Sequence, residues 1–355
     1  MALQLQNPHS SSLYPVLTLP AEIVAQIFMH YLPAYPNRPP LRGNGSPTRL
    51  SHICQLWREI AIATPQLWRA ISFSVSNPDL VESFLKRSHL LPISINIDID
   101  LGYDMTVAPL LLEYSGRWEY AAVRLDSVPP ELAGQKIHLP LASHLEVQDF
   151  SGEDSPEDKT LIFAAPQLRT LSCRCFRDQT YLGHFDKETW ASLTVLSIGP
   201  PARVVPILQI LSNTKTLAHC SIEGLITFTE DHWHTGMSIS LPKLQSLILS
   251  PDRYSLSGNR RVLPIVVEGL QHLAISEKVF GVRTLRLESL VPDLLQYWNS
   301  APTFIYISDA TKSTSHYQEQ LPHVSKLQAV DHHGEEEMKA LWKEWSGVNI
   351  NLTQG

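Results

Sequence analysis

The stretch LSHICQLWREIAIATPQLWRAISF, residues 50–73, carries two tryptophans and few charged residues. In its first half, apolar residues recur at positions 50, 53, 54, 57, 60 and 61, the spacing of one stripe on an amphipathic helix. Thr64 then precedes Pro65, a pairing of a helix-capping residue with a proline that the first helical turn tolerates. The pattern therefore predicts one helix from residue 50 and a second short helix from Pro65.

A further helix is predicted upstream of this stretch. Thr18 can cap it, Pro20 suits its first turn, and apolar residues recur at positions 23, 27, 28 and 31 before Pro33 ends the run. Residues 33–49 contain five prolines, which excludes a continuous helix and predicts a loop. Residues 1–17 are polar and contain serine and proline, so we expect them to be disordered.

Downstream of residue 70, short strand-like segments recur at a nearly even spacing. Examples are LRTLSC (168–173), LTVLSI (193–198) and LQSLIL (244–249). The last apolar position of each segment gives the series Phe73, Ile97, Val123, Val147, Cys173, Ile198, Ile222, Leu249 and Ile275. Its period lies in the mid-twenties, which is typical of a leucine-rich-repeat-like solenoid with one strand and one return segment per coil. Return helices are expected at 79–88, 107–118 and 203–213.

The regular period ends after Ile275. VRTLRL (282–287), TFIYI (303–307) and VSKLQAV (324–330) are predicted to be further strands of irregular repeats. Residues 335–345 form a helix candidate with glutamates early and lysines later, as the helix dipole favours. The asparagine or cysteine position of a regular leucine-rich repeat is occupied here by other residues, namely Phe150, Phe176, Pro201, Leu225 and Asp252. The repeats must therefore stack through apolar contacts.

Composition narrows the class of protein. The chain has 355 residues, 43% of them hydrophobic and 18% charged, with a formal net charge of -7, so it lacks the basic character that nucleic-acid binding needs. No apolar run reaches the length of about 18 residues that a membrane span requires, and the N-terminus does not resemble a signal peptide. The four cysteines are expected to be reduced. We therefore expect a soluble protein of the cytoplasm and/or nucleus, with no nucleic-acid or membrane partner.

Two segments resemble an F-box domain: LPAEIVAQIFMHYL (19–32) and LSHICQLWREIAIATPQLWRAI (50–71). The matching positions are Leu19, Pro20, Glu22, Ile23, Ile27, Leu32, Ile53, Cys54, Trp57, Arg58, Leu67 and Trp68. The order of segments is similar to that of a large fungal, basidiomycete-like group in which an F-box precedes degenerate leucine-rich repeats. The expected fold is α/β, with a three-helix F-box module at 18–72 and an irregular leucine-rich-repeat-like solenoid, ending in a cap helix, at 73–350.

The resemblance implies binding rather than catalysis. An F-box docks on a Skp-type adaptor and, through it, on a cullin, while the repeats hold a target protein. This implies a non-catalytic, cofactor-free substrate-recognition subunit of a ubiquitin ligase. The candidates for adaptor contact are Leu19, Pro20, Ile23, Ile27, Leu50, Ile53 and Cys54. The candidates for the junction between module and solenoid are Trp57, Trp68, Ile71 and Phe73.

The target-binding face follows from strand geometry, because alternate side chains of a strand point to opposite faces. The positions that flank the inward leucines are Glu146, Ser172, Arg174, Ser197, His219, Ser221, Glu223, Ile248 and Ser250. A serine recurs at positions 172, 197 and 221. Two interpretations remain open: small polar residues suit a crowded concave sheet, or they line a groove for an extended peptide.

The sequence gives weaker support for a catalytic or metal-binding site than for a binding surface. Cys54 has no identifiable basic partner that would make it a nucleophile. Cys173 and Cys175 lie on one strand face without a second pair, so core cysteines are expected there rather than a metal site. The segment Asp231–His234 contains side chains that can bind a metal, although a polar surface loop explains it equally well. Two alternatives to the ligase subunit therefore stand, an F-box scaffold acting outside any ligase and a solenoid-borne metal-dependent enzyme.

Overall fold

The computed structural model describes residues 18–73, 78–99, 112–125, 134–149, 162–175, 185–199, 202–226, 238–251, 263–280 and 290–348. The N-terminal helices are α1 (Ala21–Tyr31), α2 (Pro47–Leu50) and α3 (Gln55–Ile62), followed by a 3-10 turn at Pro65–Trp68. The predicted helix before Pro33 and the one at Pro65 are confirmed.

The single helix predicted from residue 50 is wrong, because the chain forms two helices there. Ser46 caps α2 by accepting a hydrogen bond from the Thr48 amide, and Pro47 occupies the first helical position. The chain leaves the helix after Leu50, and Cys54 has extended backbone angles as the residue that precedes α3. Leu50, Ile60 and Ala61 still reach one core, because α2 and α3 pack side by side.

The rest of the described chain is organised around one large parallel sheet. Its strands are β1 (Ala70–Phe73), β2 (Ile93–Ile99), β3 (Trp118–Leu125), β5 (His144–Asp149), β7 (Thr170–Cys175), β8 (Val195–Ile198), β10 (His219–Ile226), β12 (Ser246–Pro251), β14 (His272–Ser276), β15 (Phe304–Ser308) and β16 (Lys326–Ala329), in that spatial order. The short strand β9 (Ala202–Arg203) pairs with β10. Two small parallel sheets lie beside it, β4 (Lys136–His138) with β6 (Ile162–Ala164) and β11 (Ile239–Ser240) with β13 (Ile265–Val266). The expected α/β class is therefore confirmed.

The residues of the predicted periodic series lie opposite one another in this sheet. Each is the Cα partner of the next, from Phe73 opposite Ile97 to Leu249 opposite Ile275. The row continues through Ile307 to Ala329. The strands predicted at 303–307 and 324–330 are thus confirmed, whereas the one predicted at 282–287 lies outside the described residues.

Helices cover the side of the sheet to which this row points. They are α4 (Pro78–Arg87), α5 (Lys187–Ser192), α6 (Val204–Asn213), α7 (Leu290–Tyr297) and α8 (Thr314–Gln320), with 3-10 turns at Ser115–Arg117 and Glu277–Phe280. Their buried side chains join the inward side chains of the strands in one continuous core. The predicted return helices at 79–88 and 203–213 are confirmed, whereas much of the segment 107–118 is not described.

The last helix, α9 (Glu335–Ser346), confirms the helix predicted at 335–345 but lies in an unexpected place. It does not extend the stack beyond β16. It packs on the opposite side of the sheet, where Met338 joins a second apolar cluster with Ile248, Ala274, Phe304 and Tyr306. None of the helices in the described ranges is long and apolar enough to cross a membrane.

Candidate functional site

The sheet has a second face, turned away from the main core, which holds the predicted target-binding residues. In its central row, Glu146, Ser172, Ser197, Ser221 and Ile248 are consecutive Cα partners across β5, β7, β8, β10 and β12. The in-register pairing of parallel strands places these five side chains on one line. The sequence prediction of a shared face is therefore consistent with the observed register.

The exposure of these candidates divides the second face into two parts. Arg174 is exposed, while Glu146, Ser172, Ser197, His219, Glu223 and Ser250 are half-buried. Ser221 and Ile248 are only 2% and 3% exposed. Neither is open to a target while α9 is in place, because α9 packs over β10 and β12 and Met338 contacts the Ile248 cluster.

Aromatic stacking holds α9 on this face. The Trp345 ring stacks on His272 with the centroids 5.2 Å apart and the planes 17° apart. The same indole makes an edge contact of 5.4 Å with Phe304. Burial lowers the pKa of His272, although the negative charge of nearby Glu344 acts to raise it. His272 is therefore neutral at physiological pH, which suits a ring stacked against an indole.

The proline-rich loop between α1 and α2 lies on the other end of the second face. Tyr35 makes an edge contact with Tyr120 at 5.5 Å, and its hydroxyl donates a hydrogen bond of 2.8 Å to Glu119 Oε2. The Arg69 guanidinium lies 3.5 Å above the Tyr35 ring. Burial lowers the pKa of Arg38 to about 10, while the negative charge of Glu146 acts in the opposite direction. The loop thus brings aromatic and cationic groups to β3 and β5.

A polar strip of the sheet lies between the loop and α9, and its described side chains are half-buried or exposed. Neighbouring strands lie about 4.8 Å apart, so β5 and β10, three spacings apart in the sheet order, are about 14 Å apart. The floor of the strip includes Thr170, Ser172, Ser197 and the exposed Arg174. The strip is bordered by β5, which begins at His144. The His144 ring stacks on Tyr120 with the ring centroids 4.8 Å apart. The described floor of the strip is therefore polar and partly exposed.

Sequence reasoning missed the two covering segments. Tyr35 and Arg38 lie in a loop without periodicity, and their contacts with β3 and β5 bridge more than eighty residues. A signal for the second segment was present, since Met338, Leu341, Trp342 and Trp345 have the spacing of one helical stripe. A helix with such a stripe needs a surface to cover it.

A second candidate surface lies on the N-terminal helices. Ile23, Ile27 and Tyr31 recur every fourth residue on α1 and are 48%, 45% and 44% exposed. Leu19, Ile53, Leu56 and Ile62 are also exposed large apolar residues of this region, and Pro20 is exposed. The inward side chains Val24 and Phe28 fill the core instead. Exposed apolar residues at this density are typical of a surface that binds a partner.

Two of the predicted adaptor contacts differ from the rest. Leu50 is 4% exposed and belongs to the main core, so its assignment to the adaptor surface is wrong for this structure. It is buried because the short helix α2 turns it toward α3. Cys54 is half-buried at the start of α3. The exposed candidates are therefore Leu19, Pro20, Ile23, Ile27 and Ile53.

The predicted junction residues connect the N-terminal helices to the sheet. Trp68 is fully buried; its Nε1 donates a hydrogen bond of 2.7 Å to the Ala61 carbonyl, and its ring makes an edge contact of 4.9 Å with Phe84 of α4. Trp57 packs edge-on against Phe28, and Ile71 is fully buried. The Phe73 backbone pairs with Ile97, so the sheet begins directly after this helical region.

The remaining candidates from the sequence are the possible metal ligands and the cysteine thiols. Among them no three histidine, cysteine or acidic side chains are grouped so that they could hold a metal ion. The segment Asp231–His234 and the side chain of Cys175 lie outside what the structure describes. Cys173 is buried, and burial raises the pKa of the Cys220 thiol to about 12, which keeps it protonated and unreactive.

Comparison with known proteins adds no family assignment: no protein-family model matches the chain, and no curated protein gives a significant match. The features that bear on function are therefore two surfaces: the exposed apolar face of α1 and α3, and the second face of the sheet.

Proposed function

We propose that this chain is the substrate-recognition subunit of a Skp–cullin–F-box ubiquitin ligase. On this proposal, residues 18–72 are an F-box that binds a Skp-type adaptor, and the register-matched strands are an irregular leucine-rich-repeat-like solenoid that holds a target protein. The observation that carries the proposal is the exposed apolar row Ile23, Ile27 and Tyr31 on α1. It lies in a segment whose residues resemble an F-box.

The energetics favour a partner on this row. Burying apolar surface contributes roughly 25 cal/mol per Å² removed from water, and these side chains are each close to half exposed. A ridge with a spacing of four residues is the form in which a helix enters an apolar groove of another protein. Ile53, just before α3, and Leu56, in its first turn, add exposed apolar groups beside it, because α1 and α3 pack together.

The proposed mechanism is proximity. The chain binds the adaptor with its helices and the target with its sheet, and the target is thereby held near a conjugating enzyme. This requires a stiff connection between the two surfaces. The buried Trp68 contacts with Ala61 and Phe84, and the Tyr35 contacts with Glu119 and Tyr120, support such a connection.

Co-purification of the full chain with a Skp-type adaptor tests the proposal. Wild-type protein is expected to retain the adaptor, and the double variant Ile23→Asp/Ile53→Asp is expected to lose it, because two charges would be desolvated in the interface. Both positions are about half exposed, so the variant should keep the circular-dichroism spectrum of the wild type. Leu90→Asp is the matched control, because Leu90 is 90% exposed on the turn after α4.

The outcomes separate the alternatives. Absence of adaptor binding by folded wild-type protein at micromolar concentration would reject the proposal. Adaptor binding without recovery of a cullin from cells would favour the scaffold that acts outside a ligase. Equal loss of binding in the Leu90→Asp control would mean that the charge acts nonspecifically.

A further inference from the structure

The apolar half of the second face is occupied by a segment of the same chain. Ile248, Ala274, Phe304 and Tyr306 point away from the main core and are covered by α9. Without α9 they would form an exposed apolar patch beside the polar strip of β7 and β8. This half of the face therefore needs a covering element.

The occupant is a helix with a single apolar stripe. Met338, Leu341, Trp342 and Trp345 follow the spacing i, i+3, i+4 and i+7, and all four belong to the cluster on the second face. A helix suits this position for a backbone reason. The inner strands of the sheet are already paired on both sides, so a bound peptide cannot add as a strand there, whereas a helix pairs its own backbone groups.

Most of the side chains that attach α9 to the sheet are only partly buried. Of its four stripe residues only Met338 is buried, and the other three are half-exposed. Their cluster is separate from the main core. α9 is therefore held by apolar and stacking contacts of modest burial.

Polar links to the end of β15 lie in the segment that precedes the helix. The amide of Asp309 donates to the His332 carbonyl over 3.0 Å, and that of Ala310 donates to the Val330 carbonyl over 2.8 Å. The Asp309 carboxylate faces His333 Nδ1 at 3.4 Å and accepts a hydrogen bond from Ser276. The segment 330–333 is thus fixed to the sheet, and Gly334 follows it at the start of α9.

From these contacts we propose that the apolar half of the second face is a receptor surface for an amphipathic helix of a target protein, which displaces α9. The target helix would carry aliphatic and aromatic residues at i, i+3, i+4 and i+7, as α9 does. The fixed segment 330–333 would keep the displaced α9 attached, and the polar strip lies beside the surface that the incoming helix would occupy. The identification of the partner as a ligase target rests on the proposed function; the existence of the helix-binding surface does not.

A synthetic fluorescent peptide of residues 334–348 is the probe. It is added to the full wild-type chain and to the full chain carrying Trp342→Ala/Trp345→Ala, in which the resident helix is weakened and the face is intact. The peptide is expected to bind the double variant about tenfold more tightly than the wild type, because competition by the resident helix is reduced. Adding Phe304→Ala to the variant, or Trp345→Ala to the peptide, is expected to remove this gain.

Two results of the peptide experiment would overturn the inference. One is a folded double variant that does not bind the peptide; the other is a double variant that fails to fold, which would make α9 an integral part of the fold. Hydrogen exchange on the wild-type chain gives an independent check. Amides of 338–346 are expected to exchange faster than those of β12 and β14, because the helix opens without the sheet. Equal protection would also overturn the inference. None of these measurements involves the adaptor, so failure here and failure of the ligase proposal are distinguishable.

Discussion

The hydroxyl of Tyr35 donates a 2.8 Å hydrogen bond to Glu119 Oε2, joining the loop after α1 to β3 across 84 positions of sequence. The guanidinium of Arg69, next to the first strand, lies over the same ring at 3.5 Å from its centroid. Tyr35 therefore connects three parts of the chain: the loop, the beginning of β1 and the second face. This contact restrains the orientation of the N-terminal helices relative to the sheet.

Replacing Tyr35 by phenylalanine tests this restraint. Tyr35→Phe keeps the ring over Tyr120 but leaves the Glu119 carboxylate without its donor. A hydrogen bond of this kind contributes on the order of 1 kcal/mol to stability. We expect the free energy of unfolding, measured by urea denaturation, to fall by about that amount, with faster hydrogen exchange at residues 34–41. Tyr297→Phe is the control, because Tyr297 is 59% exposed. Equal effects of both changes would contradict the assigned role.

Alkaline pH should weaken the fold through the same residue. Burial, and secondarily the hydrogen bond to Glu119, raises the pKa of Tyr35. Burial and Glu277 likewise raise the pKa of Tyr317, whose hydroxyl bonds to that carboxylate. Each folded pKa lies above the unfolded value of about 10, so the folded state retains protons that the unfolded state loses. The stabilisation that these two tyrosines contribute is complete below the unfolded pKa of about 10 and is lost as the pH rises above it.

The measurement is the free energy of unfolding between pH 8 and 11. We expect a decline that begins near the unfolded tyrosine pKa of about 10. The double change Tyr35→Phe/Tyr317→Phe should flatten the decline, because neither position can then ionise. A decline of unchanged steepness in that variant would show that other groups control the alkaline transition.

The strand alternation in the periodic segments is what made the sheet predictable from sequence. Leu196 and Ser197 are adjacent on β8, yet Leu196 is fully buried and Ser197 is half-exposed. Leu196→Ala should cost about 2–5 kcal/mol, because it leaves a cavity in a packed core. Ser197→Ala should change stability by no more than about 0.5 kcal/mol. Denaturant titration of both variants measures the difference, and similar costs would mean that the alternation of faces is misassigned.

The second face was predictable only in part, for a physical reason. Local periodicity assigns each strand residue to one face or the other, as for Ser172 and Ser197. It carries no information about which distant segment covers that face. Ile248 is buried by α9, a helix that lies almost ninety positions later in the sequence, and Glu146 lies near Arg38 of a loop without periodicity. Likewise, the stripe that includes Leu50 indicated a buried side but not that α2 would end there.

The contact between Gly334 and Tyr306 gives a direct test of how α9 is seated. A Cβ atom on Gly334 would overlap the Tyr306 hydroxyl, and that ring is only 1% exposed within its cluster, so it has no room to turn away. Gly334→Ala should therefore push the start of α9 off the sheet. Overpacking of this kind costs about 1–3 kcal/mol, and hydrogen exchange should rise in 335–346 while β7 and β8 remain protected. Gly116→Ala is the matched control, because a Cβ atom there meets nothing within 4 Å. Unchanged exchange in α9 of the Gly334→Ala variant would show that the helix start moves without cost and that Tyr306 does not determine its position.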